Sequence, residues 1–296
     1  MSNPMTPDLI EVFHSPDRAP CADRAFMLSA VNIPSVIEFG PTGYVVRVAH
    51  AQAAFAAHHL WQYEQELRRR PRVMPQARLF PHAWVGSTLY VAVLVAVAFA
   101  AVQGLWRPDL FAVGTLDGAA VQAGQWWRAF TALTLHVDIV HLMMNLGAGA
   151  AIGHLLGRQI GAGSAWLLTV LGAGLANFLE ALLGPPAHQS VGASTAIFAA
   201  LGILAVHSWR TRAAAAPTRV RGVAPLVAGV VLLGFLGTTG EGTDLIAHAF
   251  GFVVGGAIGG VVAVPAIWVR LEKIPQWLAG AFTLLLVAVA WLLAAA

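Results

Sequence analysis

The chain has 296 residues, 58% of them hydrophobic and only 10% charged, with a formal net charge of +3 and a mean hydropathy of +0.71. A soluble domain carries about a quarter of its residues as charges, so this balance excludes an ordinary soluble globule and indicates a polytopic membrane protein. The basic isoelectric point does not imply nucleic acid, because the arginines lie mainly in short segments between apolar runs, and the single cysteine, Cys21, excludes a disulfide framework.

Residues 1–75 read as a small cytoplasmic domain. Met1 to Ile10 contains neither a basic n-region nor an apolar h-region, so no signal peptide is expected. "LIEVFHS" (Leu9–Ser15) has strand composition and "CADRAFMLSAVN" (Cys21–Asn32) has helical spacing. "SVIEF" and "YVVRV" read as strands around the turn signal "GPTG", and "AHAQAAFAAHHLWQYEQELRRR" reads as a long helix. The order β-α-β-β-α predicts a two-layer α+β domain of ferredoxin-like type. It carries no catalytic or phosphate-binding motif. Residues 76–82 read as a linker and 83–296 as the membrane domain.

A span needs roughly 20 apolar residues to cross about 30 Å of hydrocarbon. That rule predicts seven helices, near 84–105, 138–157, 163–184, 190–209, 222–238, 244–268 and 276–295. Between the first two, Trp106–Val137 is too polar to span simply; with Trp126 and Trp127 as anchors and His136 as a stabilising side chain, it reads as an interfacial excursion. Arg68, Arg69, Arg70, Arg72 and Arg78 precede the first span. Arg158 follows the second, Arg210, Arg212, Arg219 and Arg221 follow the fourth, and Arg270 and Lys273 follow the sixth. Only Arg107 and Arg128 lie on the other side. The positive-inside rule then predicts a cytoplasmic N-terminus and a C-terminus outside.

Polar groups inside spans are costly and therefore default to function. "DIVHLMMNL" puts His141 and Asn145 at i and i+4, on one face. Ser194 is expected about a turn inside the fourth span, and His248 about a turn inside the sixth. All three spans enter from the outer side, so these residues are expected at one depth, in a shared chamber. A serine hydroxyl needs a base, and His248 is the candidate. Acyl transfer needs donors for the oxyanion, and His141, Asn145 and the Ser194 N–H are candidates. Gly192 and Ala193 leave room for a peptide backbone. Gly251 and Gly255 share the His248 face and would let the sixth helix press on the fourth.

"WR" (Trp127–Arg128), "HVDIVHLMMN", "GAS" and "HAFGFVVG" together resemble the rhomboid intramembrane serine proteases, over about residues 82–270 in the family's order. The resemblance implies an all-α six-helix bundle with an extra seventh C-terminal helix. It implies cleavage of transmembrane segments near the membrane surface by a Ser–His dyad without an aspartate. Carried over, Ser194 is the nucleophile, His248 the general base, and His141 and Asn145 the oxyanion donors. No cofactor or metal is called for. The implied setting is a bacterial inner membrane, with transmembrane-helix substrates and the bilayer as partners. Three positions depart from the family's usual residues: Thr195 stands for glycine, Phe198 for tyrosine, and Gly157 for glutamate.

Taken singly, Ser194 reads as a helix-packing serine and His248 as a hydrogen-bonded core histidine; the joint pattern favours the protease. Asn177 and Glu180 read as supports for loops or as the lining of a wet cavity, and Asp244 as a helix cap. A zinc protease would show H-E-x-x-H, and a transporter paired broken helices; neither is present. The competing class is an inactive rhomboid-like protein that binds client helices. The fifth span (222–238) and the glycine-rich "GTTGEGTD" loop after it are candidates for a gate.

Overall fold

A computed structural model describes residues 8–69, 79–105, 109–213, 219–237 and 244–296. The chain divides into two compact units, Met1–Val73 and Met74–Ala296.

In the first unit, β1 (Leu9–Ser15), α1 (Arg18–Ala30), β2 (Ser35–Gly40), β3 (Gly43–Ala49) and α2 (Ala53–Arg69) follow one another. The antiparallel sheet has the order β1-β3-β2. β3 is central and the most deeply buried, with Val46 and Val48 inaccessible. One side of the sheet closes on Cys21 and Leu28 of α1 and Ala56 and Leu60 of α2. Arg24 joins the two helices: its guanidinium bonds Glu64 Oε1 at 2.5 and 3.1 Å and lies over the Phe13 ring. These are the first five elements of the β-α-β-β-α-β pattern, and no further strand joins this sheet among the described residues.

The second unit contains α3 (Ala83–Val102), α7 (Ile139–Ile160), α8 (Ala162–Leu183), α9 (Ser194–Ala213), α10 (Arg219–Gly237), α11 (Leu245–Val262) and α13 (Gln276–Ala295). Between α3 and α7 lie the short α4 (Leu110–Gly114), β4 (Leu116–Asp117), α5 (Gly118–Gln122) and α6 (Arg128–Thr131). This is the predicted excursion. A two-residue strand, β5 (Gln189–Ser190), precedes α9, and α12 (Pro265–Leu271) follows α11.

Five helices, α3, α7, α8, α11 and α13, are long and apolar enough to cross a membrane. α9 and α10 occupy the other two predicted spans. α9 is an inner helix, buried on all sides from Thr195 to Ile203, and its later part carries His207, Ser208 and Arg210. In α10 the apolar stretch is Val223–Leu232.

Two boundaries differ from expectation. The sixth span does not run from 244 to 268: it stops at Val262, and α12 restarts with Pro265 at its first turn. Proline has no N–H to continue the ladder and its ring clashes with the preceding turn, but it suits a helix start. Ser194 is the first residue of α9 rather than a turn inside it, because the chain enters as β5 and a Gly192 at positive φ. Of the proposed gate, residues 238–243 lie outside the described residues.

Among the described residues, α9 and α11 share the most extensive helix contact. A methyl on Gly251 would stand 2.6 Å from the Thr195 carbonyl oxygen, and one on Gly259 2.5 Å from that of Ile203. One on Gly255 would overlap the Ala199 carbonyl, and from the other side Gly202 meets the Phe252 carbonyl. Backbone lies on backbone for three turns, which in lipid replaces the absent hydrophobic drive with dispersion contacts. Elsewhere Trp166 of α8 stacks on Tyr90 of α3, centroids 4.5 Å apart, above Gly86 and Gly153, which leave the indole its space.

Candidate active site

Ser194 is placed by the backbone that delivers it. β5 pairs with β4, Leu116 opposite Ser190 and Asp117 opposite Gln189, tying the approach to α9 to the excursion. Asp117 serves both sides: Oδ1 accepts the Ala120 N–H at 2.8 Å, capping α5, and Oδ2 accepts Gln189 Nε2 at 2.7 Å. These two hydrogen bonds, with Arg128 nearby, hold its carboxyl below the usual carboxylate range. Arg128 spreads its guanidinium over the Thr115 and Ala112 carbonyls and Gln125 Oε1. Such a donor fork suits a loop with several orphan acceptors.

The last residues before the helix are then pinned. Gly192 N–H donates to the Ala132 carbonyl at 2.9 Å, and Ala193 N–H to His136 Nε2 at 3.4 Å. Burial lowers the His136 pKa to about 4, so the ring is neutral and its Nε2 lone pair is free to accept. Gly192 has φ +137°, a conformation that side chains rarely adopt. A methyl there would also stand 2.8 Å from His141 Cε1 and 2.9 Å from His141 Nε2. From the same point Ser194 Oγ is 3.6 Å away. One point beside Gly192 thus lies within 3.6 Å of both the His141 imidazole and the serine hydroxyl. At a helix N-terminus the first N–H groups have no intrahelical acceptor, so the Ser194 end of α9 offers free donors with the favourable end of the helix dipole.

His248 approaches from α11. Asp244 caps that helix, Oδ1 accepting the Ala247 N–H at 3.0 Å, and His248 follows one turn in, 5% exposed. Its ring lies on Phe198, centroids 4.4 Å apart. Ser194 and Phe198 are i and i+4, so the imidazole lies along the Ser194 face of α9. Gly251, three residues after His248, packs on Thr195. Thr195 is buried, its methyl filling the space beside Gly251.

On α7, Asp138 caps the helix through the His141 N–H at 2.7 Å, and the His141 ring meets His136 edge to face at 5.0 Å. Asn145 is buried at 4%. Its Nδ2 donates to the His141 carbonyl at 2.9 Å, and its own carbonyl accepts the Tyr90 hydroxyl at 2.9 Å. Both residues thus stand on one helix face beside Gly192 and the start of α9.

A cavity of about 20 Å³ adjoins Ser194, walled by Gly192, Thr195, Asn177, Asp244 and Ala247. That volume holds about one water molecule. Asn177 donates Nδ2 to the Ala129 carbonyl at 3.0 Å, while its Oδ1 is buried without a partner. His141, Asn145 and His248 do not wall this cavity. A methyl on Gly157, read as the family's glutamate position, would stand 3.2 Å from the Ala83 methyl and 3.5 Å from Ala162 Cα, so a side chain there would crowd the starts of α3 and α8.

Asp117, Gln189 and His188 were not singled out from the sequence. Asp117 carries a local signal, an aspartate immediately ahead of a short helical run. The others have none: Gln189 bonds Asp117, 72 residues away in the chain, and His188 meets Asp244 at the start of another helix.

Residues 123–265 match the rhomboid domain. Over 158 residues, 53% of this chain, the sequence is 33% identical to Rhomboid protease GluP of Bacillus subtilis (strain 168), covering 29% of that protein. It is 33% identical over 100 residues to RHOMBOID-like protein 5 of Arabidopsis thaliana, covering 33% of this chain and 32% of that one. Rhomboid-like protease 2 of Toxoplasma gondii is 29% identical over 149 residues, 47% of this chain and 48% of its own. The chain thus matches about a third of the length of the first two relatives. The matched domain takes in His141, Asn145, Ser194 and His248 but not α3 or α13. With five apolar helices of membrane-crossing length among the described residues, the chain is a multi-pass membrane protein whose residues 123–265 match the rhomboid domain.

Proposed function

We propose that the chain is an intramembrane serine endopeptidase that cleaves transmembrane segments with a Ser194–His248 dyad. The observation that carries this reading is the His248 imidazole lying on Phe198, along the face of α9 whose first residue is Ser194.

His248 takes the Ser194 proton as Oγ attacks the scissile carbonyl. The oxyanion is met by the N-terminal N–H of α9, with His141 across Gly192 and Asn145 one turn along α7. Collapse of the tetrahedral adduct expels the amine, which takes its proton from His248. Water then attacks the acyl-enzyme, with the same imidazole as base; the 20 Å³ cavity beside Ser194 is a fitting station for it. This chemistry asks for no cofactor. Asp244 acts as a cap rather than as a third member of a triad: its Oδ1 is on Ala247, and its Oδ2 faces His188.

A helical substrate hides its carbonyls in its own hydrogen bonds, so the segment must unwind at the site. α10 is the element best suited to let it in. Val227, Val230, Val231 and Phe235 face outward at 53–68% exposure, and Pro225 interrupts its ladder. The arginine distribution supports a cytoplasmic N-terminal unit, an outward-opening site and residence in a bacterial inner membrane.

The test is cleavage of a single-span substrate by the purified full chain in detergent, compared with Ser194→Ala and His248→Ala. Abolished cleavage in both, with unchanged melting, is the expected result. Wild-type protein that binds such substrates as well as Ser194→Ala does, without cutting any, would instead establish the client-binding reading.

A further inference from the structure

We propose that Glu180, His188 and Asp244 form a binding site for a divalent transition-metal ion of the zinc type. The inference does not rest on the proteolytic reading. The three residues come from separate elements: the last turn of α8, the loop before β5, and the N-cap of α11. One ligand atom from each lies within 4.8 Å of the others. Glu180 Oε1 is 3.3 Å from His188 Nε2, and Asp244 Oδ2 is 2.8 Å from the same nitrogen.

Those separations are short, yet all three atoms are buried without a hydrogen-bond partner, as is Glu180 Oε2. They meet at ion-pair distance, with His188 Nε2 between the two carboxylates. An imidazole nitrogen carries at most one proton and satisfies at most one carboxylate. The other is Glu180, 2% exposed on a membrane-crossing helix, where an uncompensated carboxylate is least tolerable. A cation at the point of convergence satisfies all three. For metal–ligand bonds of about 2.0–2.2 Å, tetrahedral or octahedral geometry sets neighbouring donors roughly 2.8–3.6 Å apart, and both separations fall in that range. One imidazole and two carboxylates suit zinc or manganese better than calcium, and the ordinary affinity order favours zinc.

The surroundings orient the ligands. His188 N–H donates to the Pro185 carbonyl at 2.9 Å, and its own carbonyl accepts the Gly118 N–H at 3.0 Å. Asp244 spends Oδ1 on the Ala247 N–H, so only Oδ2 turns to the site. The side chains of His188 and Asp244 are 30% and 20% exposed, which provides entry and a position for water or a fourth ligand. A bound ion would fasten the cap of α11, one turn before His248, to the end of α8.

The experiment uses the full chain in detergent, stripped with a chelator and titrated with Zn²⁺, Co²⁺ and Mn²⁺ under equilibrium dialysis, with melting followed in parallel. The expected result is one ion per chain, tighter for Zn²⁺ than for Mn²⁺, and a rise in melting temperature on loading. Glu180→Gln and His188→Asn should each weaken binding by at least about tenfold and remove that rise. His188→Asn, in a part-exposed loop, guards against a misfolded Glu180→Gln. No stoichiometric Zn²⁺ or Co²⁺ at micromolar free metal, or binding undiminished in both variants, would overturn the proposal and leave the three groups sharing protons.

Discussion

The imidazole of His248 rests on the ring of Phe198, centroids 4.4 Å apart and planes inclined by 39°. This aromatic face, held 2% exposed in the core of α9, is a surface that orients the histidine of the proposed dyad.

An offset aromatic pair is worth about 0.5–1.5 kcal/mol beyond its buried area. Phe198→Leu should therefore lower kcat by about three- to tenfold while leaving KM for a single-span substrate near the wild-type value. Phe198→Tyr, which keeps the ring, should retain wild-type kcat. Equal kcat for Phe198→Leu and wild type would show that the stack does not position the base.

Gly255→Ala drives a methyl into the Ala199 carbonyl, where only a shift of α9 or α11 can make space. Overpacking of this kind costs about 1–3 kcal/mol. Gly256→Ala meets only Val206 Cγ2, at 3.2 Å, a side chain able to give way. Thermal unfolding in detergent should rank Gly255→Ala well below Gly256→Ala.

Gly192→Ala combines an unfavourable φ with a contact against His141. The strain falls in a short connection rather than in a helix contact. The expected outcome is loss of cleavage by a hundredfold or so, about 2.7 kcal/mol in the barrier, with a smaller change in melting than for Gly255→Ala. Kinetics and melting on the same preparations decide it.

His136 gives a pH dependence with a definite sign. Burial lowers its pKa to about 4, with the neighbouring His141 acting in the same direction and Asp138 opposing. The unfolded chain has the ordinary histidine value of about 6.5. Between these values the unfolded state binds more protons, so stability falls as pH drops from about 6.5 towards 4. Melting temperatures across that window should decline more steeply for wild type than for His136→Gln, which keeps an acceptor for the Ala193 N–H and does not titrate.

Much of the architecture was legible in advance. Helix lengths follow from the thickness of hydrocarbon, so the seven predicted spans and the helices that occupy them agree within a few residues except around Pro265. The strands of the first unit follow from alternation and the "GPTG" turn. The glycine spacing of α11 foretold a close contact, because nothing but a neighbouring backbone requires so smooth a stripe.

Ser194 was misplaced by a turn for a physical reason. An apolar stretch such as "SVGASTAIFAALG" fits a helix throughout, and the break comes from distant partners: β4 claims Ser190, Ala132 claims the Gly192 N–H, and the His141 ring occupies the space a Gly192 side chain would need. Glu180 and Asp244 were each visible as isolated polar residues, but their convergence with His188 was not, since α8 and α11 are joined by 61 residues of chain. The sequence alone determined what is local or set by the solvent: the spans, the excursion, the caps and the spacing of His141 with Asn145. Only the tertiary structure decided which polar groups face one another, because that depends on how closely α9 and α11 approach, a distance set by packing between helices far apart in the chain.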